Sequence, residues 1–279
     1  MKIYNKTDPV IREINGLKKR GMTIGFVPTM GALHKGHLSL LHRAREANHI
    51  VAASIFINPL QFNDKRDLVN YPRTIDEDIE QLESAGCDLL YAPSEEEIYR
   101  GHKQIIYDFG HLGNIMEGRF RKGHFNGVAT VVHKLFEIIK PDRAYFGEKD
   151  FQQLVIVNKL TQDYALPVEI ISCPTIREDD GLALSSRNRL LTKKQRKDAS
   201  LIPDVLFEAR DKALYMSVDE IREWVINRIS SNKEFDLEYF EIVDSVELKE
   251  ITKWSEQKQK VGCIAVKVGD VRLIDNILF

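Results

Sequence analysis

Between residues 24 and 173, short apolar runs alternate with segments whose apolar residues recur every three or four positions, and few architectures accept that alternation. Strands that read as unbroken apolar runs need cover on both faces, which a parallel sheet with crossover helices provides. The runs at 24–27, 50–57, 89–91, 144–146 and 168–172 predict five such strands. The clearest helix follows Gly127, where Val128, Val131, Val132, Leu135, Phe136 and Ile139 form one stripe before Pro141 ends it. Segment 63–78, polar and carrying Tyr71-Pro72-Arg73, reads as a long surface loop. So does 113–127, with its glycines among Arg119, Arg121, Lys122 and His124.

Beyond about residue 186 the pattern changes. A basic stretch at 193–197 leads into helical patterns, followed by apolar runs at 235–243, 261–268 and 271–277. The last two flank Gly269-Asp270, a two-residue hairpin signal. The expectation is an α/β domain over 1–185 and a smaller α+β domain over 186–279, which a chain of 279 residues can accommodate.

Composition removes several classes of function. With 43% hydrophobic and 29% charged residues the chain has material for packed cores and no bias toward disorder. A net charge of −2, with both signs interspersed, leaves no basic footprint for nucleic acid or an anionic membrane. No apolar run approaches a membrane span, and residues 1–8 lack the apolar stretch of a secretory signal, so a cytoplasmic protein is expected. Cys87, Cys173 and Cys263 are too dispersed for a disulfide framework or a zinc set and read as buried small apolar residues.

The chemistry concentrates at strand ends. His34-Lys35-Gly36-His37 sits where the first predicted strand hands over to a helix beginning near His37. Amides at a helix N-terminus and the helix dipole favour an anion there, so a triphosphate can dock without a large positive patch. Gly31 and Gly36 allow close approach of the backbone. Two imidazoles three residues apart then reach one phosphate region and donate to oxygens that gain charge in the transition state. This HxGH pattern makes the α-phosphate of ATP the expected target. A zinc reading of the two histidines lacks a nearby third ligand, and a helix-start loop merely capped by histidine is the plainer alternative.

Phe146-Gly147-Glu148-Lys149-Asp150 lies at another strand end, and in parallel α/β sheets ligands bind at the carboxyl ends of strands. Lys149 offers a point charge for phosphate. Leu184-Ser185-Ser186-Arg187, after Glu178-Asp179-Asp180-Gly181, supplies two hydroxyls and a guanidinium at the expected domain boundary. Gln61, after Asn58-Pro59-Leu60, and Gln153, just past Lys149, are neutral amides suited to a small substrate with hydroxyls and a carboxylate. Each string alone also fits a solvated turn, a polar linker or a surface residue.

Read together and in order, residues 28–37, Phe56-Ile57-Asn58-Pro59-Leu60-Gln61-Phe62, Tyr71-Pro72-Arg73, Gly147-Glu148-Lys149-Asp150 and Leu184-Ser185-Ser186-Arg187-Asn188-Arg189 closely resemble the pantoate–β-alanine ligases, within the HxGH nucleotidyltransferase superfamily. The resemblance implies that ATP and (R)-pantoate form pantoyl adenylate with release of pyrophosphate. The amine of β-alanine then attacks the acyl carbon to give pantothenate and AMP. It also implies a Rossmann-like nucleotide-binding domain, a smaller C-terminal domain acting as a lid, a Mg²⁺ requirement and a homodimer.

By the same resemblance, Met30, Gly31, Ala32, Leu33, His34, Lys35, Gly36 and His37 contact ATP, and His34, His37 and Lys149 are the catalytic candidates. Gly147, Glu148, Lys149, Asp150, Ile176, Leu184, Ser185, Ser186 and Arg187 complete the nucleotide site. Gln61 and Gln153 hold pantoate, and Gln61 also β-alanine. Asp76, Glu77, Asp78 and Gln81 resemble a metal-contacting stretch of some members, with Glu77 in place of an aspartate. Asp76, Glu77 and Asp78 are expected to be solvated helix-start acids, and no residue is assigned to a metal. The loop around Arg119 and His124 is expected to help close the pocket. A nucleotidyltransferase that leaves AMP on its product shares the HxGH pattern. A tRNA-binding synthetase-like protein could echo the Ser-Ser-Arg loop, but the net charge of −2 and the absence of a basic anticodon-binding module in this chain speak against it.

Overall fold

A computed structural model describes residues 1–101, 105–256 and 259–279. The chain forms two compact units, Met1–Glu148 with Ile156–Pro174, and Lys149–Val155 with Thr175–Phe279. Residues 175–185, which the sequence groups with the first domain, lie in the second unit.

The first unit runs β1 (Lys2–Tyr4), α1 (Thr7–Lys19), β2 (Ile24–Thr29), α2 (Lys35–Ala47), β3 (Ile50–Ile55), α3 (Lys65–Asn70), α4 (Ile75–Ser84), β4 (Leu89–Tyr91), α5 (Glu95–Ile98), α6 (Met116–Phe120), α7 (His124–Ile139), β5 (Arg143–Gly147), α8 (Phe151–Asp163) and β6 (Glu169–Cys173), with residues 151–155 of α8 grouped with the second unit. The strands form one parallel sheet in the order β1-β4-β3-β2-β5-β6. The five predicted strands are all present, and the α/β class is the observed one. Between β2 and β5 the winding reverses, and at such a switch point the loops after the two strands part to leave a crevice. Val27, Leu33, Leu41, Ala44, Val51, Ala53, Leu82 and Leu90 pack one face of the sheet against α2 and α4. On the other face lie α1 and α7, which touch each other.

The apolar stripe of α7 is buried as expected. The helix starts at His124, before Gly127, and ends at Lys140, whose left-handed backbone (φ 47°) stops it ahead of Pro141. Two expected loops are largely helical. Segment 63–78 forms α3 and the first turn of α4, and 113–127 holds α6 and the first turn of α7. The polar character there comes from short helices with one solvated face, which periodicity cannot distinguish from a loop over so few residues.

The second unit contains α9 (Lys193–Asp198), α10 (Leu201–Lys212) and α11 (Val218–Ser230), then β7 (Phe235–Asp244), β8 (Lys260–Val268) and β9 (Val271–Leu278) in an antiparallel sheet. Reciprocal caps, Thr192 with Gln195 and Ser217 with Glu220, start α9 and α11. Ile202, Leu206, Val225, Ile229, Ile242, Ile264 and Val266 join helices and sheet in one core. All three cysteines are free and buried. Among the described residues no helix is long and apolar enough to cross a membrane.

Candidate active site

His34 is the N-cap of α2. Its Nδ1 accepts the Gly36 amide at 3.1 Å, so the proton of the neutral ring resides on Nε2, leaving an N–H donor on the ring edge away from the cap. The His37 ring stands beside it, centroids 4.1 Å apart. Both rings are half-buried and Lys35 is exposed. The strand-to-helix junction inferred from the sequence is therefore real, with the helix beginning at Lys35.

The loop entering this junction has an unusual backbone. Gly31 (φ 81°) and Ala32 (φ 51°) are both left-handed, a conformation glycine adopts freely and alanine at a cost. Two amides of that turn are claimed internally. Asp78 on α4 accepts Ala32 N–H at 2.9 Å and Leu33 N–H at 2.7 Å through its two carboxylate oxygens, while Thr74 Oγ1 donates to the same side chain at 3.3 Å. Asp78 is 1% exposed, so the expectation of a solvated acid fails for it, although Asp76 and Glu77 are exposed. One turn C-terminal to it, Leu82 is fully buried; the Asp78/Leu82 spacing was the sequence signal that this acid faces inward. Gly31 is committed to the same packing, because a Cβ there would lie 3.0 Å from Asp78 Oδ2.

A second group forms after β3. The buried amide of Asn58 donates to Gln61 Oε1 (3.3 Å) and Gly127 O (2.9 Å), and its Oδ1 accepts from Tyr99 Oη (2.6 Å). Burial pushes the Tyr99 phenol up, which keeps it a donor. With Oε1 so engaged, Gln61 directs Nε2 at Met30 Sδ, 2.7 Å away. The main chain of Gln61 is held as well: His124 Nδ1 donates to its carbonyl at 2.7 Å and Arg121 at 3.4 Å. Arg121 and His124, at the junction of α6 and α7, thus hold the main chain of Gln61. Gly127 permits the close seat, since a Cβ there would come within 2.1 Å of Leu60 O.

A cleft of about 510 Å³ opens beyond the ends of β2, β3 and β4, lined by Met30, Gly31, Phe56, Pro72, Thr74 and Asp78 among others, but by neither His34 nor Gln61. Arg73 donates to the carbonyls of Leu68, Val69 and Tyr71, so it caps the end of α3. Gly147 ends β5, on the same carboxyl edge of the sheet as the loop after β2, and Glu148 Oε1 accepts from Ser172 Oγ.

In the second unit, Ile176 and Leu184 face each other in a short hairpin, with Leu184 N–H donating to Ile176 O at 3.0 Å and a bridge between Arg177 and Ala183. Ser185 Oγ accepts the Arg187 amide and caps the single-turn helix Ser186–Leu190, in which Ser186 is buried. Arg177 makes a two-pronged contact with Asp275 at 2.7 and 2.9 Å, and the neighbouring Asn276 donates to Lys149 O at 3.0 Å. The end of β9 therefore ties together the stretches carrying Lys149 and Ile176. Lys149 Nζ lies 3.5 Å from Asp150, and Gln153 is half-buried on α8. Sequence reasoning did not find Asp275 and Asn276, because nothing local to residues 275–276 marks contacts made 98 and 127 positions away.

The sequence profile described as pantoate-beta-alanine ligase matches residues 2–278. The chain belongs to that family. The pantothenate synthetase of Bacteroides fragilis is 47% identical over 279 residues, spanning the whole of this chain and 99% of the relative, and that of Porphyromonas gingivalis is 46% identical over the same length. The crystal structure of pantothenate synthetase from Thermus thermophilus superposes with a TM-score of 0.93 at 40% identity, covering 99% of each chain. A pantoate-beta-alanine ligase from Francisella tularensis, solved with β,γ-ATP and β-alanine, gives a TM-score of 0.83 at 37% identity, covering 100% of this chain and 97% of that one. The family's two-part architecture, an α/β parallel sheet and a small antiparallel sheet, is the one described above.

Proposed function

We propose that the chain condenses (R)-pantoate with β-alanine to pantothenate through a pantoyl-adenylate intermediate, releasing pyrophosphate and AMP. The observation that carries the reading is the pairing of His34 and His37 at the start of α2, with the Nε2 proton of His34 fixed by the bond its Nδ1 accepts from Gly36. Family membership supplies the substrates.

In the first step a carboxylate oxygen of pantoate attacks the α-phosphorus and the bond to the β-phosphate oxygen breaks, so pyrophosphate leaves with that electron pair. Transfer at phosphorus needs positioning and charge neutralisation more than covalent help. His34 and His37 donate to oxygens gaining charge, with His37 as the proton donor. Lys149 adds a positive charge, and the nucleotide is held by Met30 to His37, Gly147 to Asp150, Ile176, and Leu184 to Arg187. Gln61 and Gln153 hold pantoate. In the second step the neutral amine of β-alanine, oriented by Gln61, attacks the acyl carbon, the acyl–oxygen bond breaks, AMP departs with the former carboxylate oxygen, and the proton lost by the nitrogen passes to solvent.

Mg²⁺ would accompany the triphosphate and offset its charge. Asp78 does not fit as its ligand, because both carboxylate oxygens accept backbone N–H bonds in a buried setting. A cytoplasmic homodimer completes the reading on family resemblance. The test is incubation with ATP, Mg²⁺ and pantoate, with and without β-alanine. Pyrophosphate should require pantoate, and pantothenate with AMP should require β-alanine; loss of either dependence refutes the assignment. A His37→Ala protein that releases pyrophosphate at the unaltered rate removes His37 as the proton donor.

A further inference from the structure

Two consecutive amides in a left-handed turn point the same way and form a small anion cradle. In this chain the cradle is filled from within: Ala32 and Leu33 donate to the two oxygens of Asp78, and Thr74 steadies the carboxylate from the N-cap of α4. Leu33 is buried in the sheet core and the next residue is His34, the cap of α2. The position of that carboxylate thus sets where the chain leaves the turn and where the two imidazoles begin. A negative charge behind a loop that receives a triphosphate is unfavourable unless it does something there. Filling the cradle keeps phosphate oxygens off the amides of Ala32 and Leu33, the two residues just before His34.

We propose that Asp78 is a positioning residue, an internal anion that locks the Gly31–Ala32 turn, sets the His34–His37 pair and keeps the nucleotide phosphates out of the turn. The role differs from that of a metal ligand, and it rests on the reading that His34 and His37 meet the phosphates of ATP.

The test compares the full chain with Asp78→Asn, a near-isosteric change that sets an amide N–H against one of the loop amides. Without any substrate, hydrogen exchange at the Ala32 and Leu33 amides should be slow in the parent and faster in the variant, and ¹⁵N spectra of His34 should change from a fixed Nε2–H tautomer to a mixture. With substrates, kcat for pantoate-dependent pyrophosphate release should fall at least about tenfold, because small misplacements of catalytic groups are costly. The Mg²⁺ concentration giving half-maximal rate should stay where it was. A raised Mg²⁺ midpoint with full activity at saturating metal identifies a metal ligand and overturns the proposal, as does an unaltered kcat in a folded variant. Should Asp78→Asn fail to fold, Thr74→Val removes only the hydroxyl and should shift exchange and kcat in the same direction by less; no shift in either overturns the proposal. If the parent shows no pantoate-dependent reaction, the ligase reading fails, while exchange and tautomer still decide whether Asp78 locks the turn.

Discussion

Gly127→Ala sets two physical effects against each other. Gly127 is the fourth residue of α7, and in a helix alanine is favoured over glycine by about 1 kcal/mol, so propensity alone predicts a more stable protein. Packing predicts the reverse. The new Cβ would lie 2.1 Å from Leu60 O, 2.4 Å from Leu60 C and 2.7 Å from Gln61 N, all backbone atoms that cannot rotate away. The Pro59–Gln61 turn must retreat by about 1 Å, a displacement of the size that costs a positioned reaction about 100-fold. Overpacking of this kind costs about 1–3 kcal/mol, more than the propensity returns. The retreat also strains the bonds from Asn58 to Gly127 O and from His124 to Gln61 O. Thermal denaturation should show a lower Tm, and steady-state kinetics should show kcat/KM for pantoate reduced about 10- to 100-fold. A variant that is more stable than the parent, with unaltered pantoate kinetics, refutes the claim that α7 seats Gln61.

Two further outcomes follow from the ion pairs. Arg177→Met leaves Asp275, 2% exposed, without its partner and strips donors from Gly181 O and Asn276 O; the expected loss is about 3–5 kcal/mol, read from denaturant midpoints. Burial pushes the Asp275 carboxyl up, with Arg177 opposing it, so the loss relative to the parent should be smallest in acid and grow as pH rises; a pH-independent loss contradicts this. The Thr7 amide and then Lys6 hold Glu97 down to about 2 from an ordinary 4.5. Its contribution is therefore present above about pH 4.5 and lost as pH falls through about 2, so the stability gap between the parent and Glu97→Gln should close across that window. A gap that persists to pH 2 contradicts it.

Most of the sheet was legible because β2 to β5 are largely apolar on both faces; β1 was not, since three residues with two exposed side chains at an edge carry no pattern. The stripe of α7 and the Gly269-Asp270 turn were equally plain, as each is set by neighbours in sequence. His34 and His37 could be placed because a strand end and a helix start bracket them. Long-range supports could not: Asp78 reaches Ala32 across 46 positions, His124 reaches Gln61 across 63, and Asp275 reaches Arg177 across 98. His124 and Asp275 resemble solvated surface residues until the fold buries them, and the spacing of Asp78 with Leu82 marks its inward face but not the amides it meets. Ala32 shows the same limit in the backbone, since its left-handed φ has no marker in an alanine.

The first step proposed above is attack of a pantoate carboxylate on the α-phosphorus of ATP. Pantoate labelled with ¹⁸O in its carboxylate, turned over with ATP and β-alanine, tests it directly by mass spectrometry of the products. One labelled oxygen should appear in AMP for each pantothenate formed. Label in inorganic phosphate with ADP as the nucleotide product, or unlabelled AMP, contradicts it.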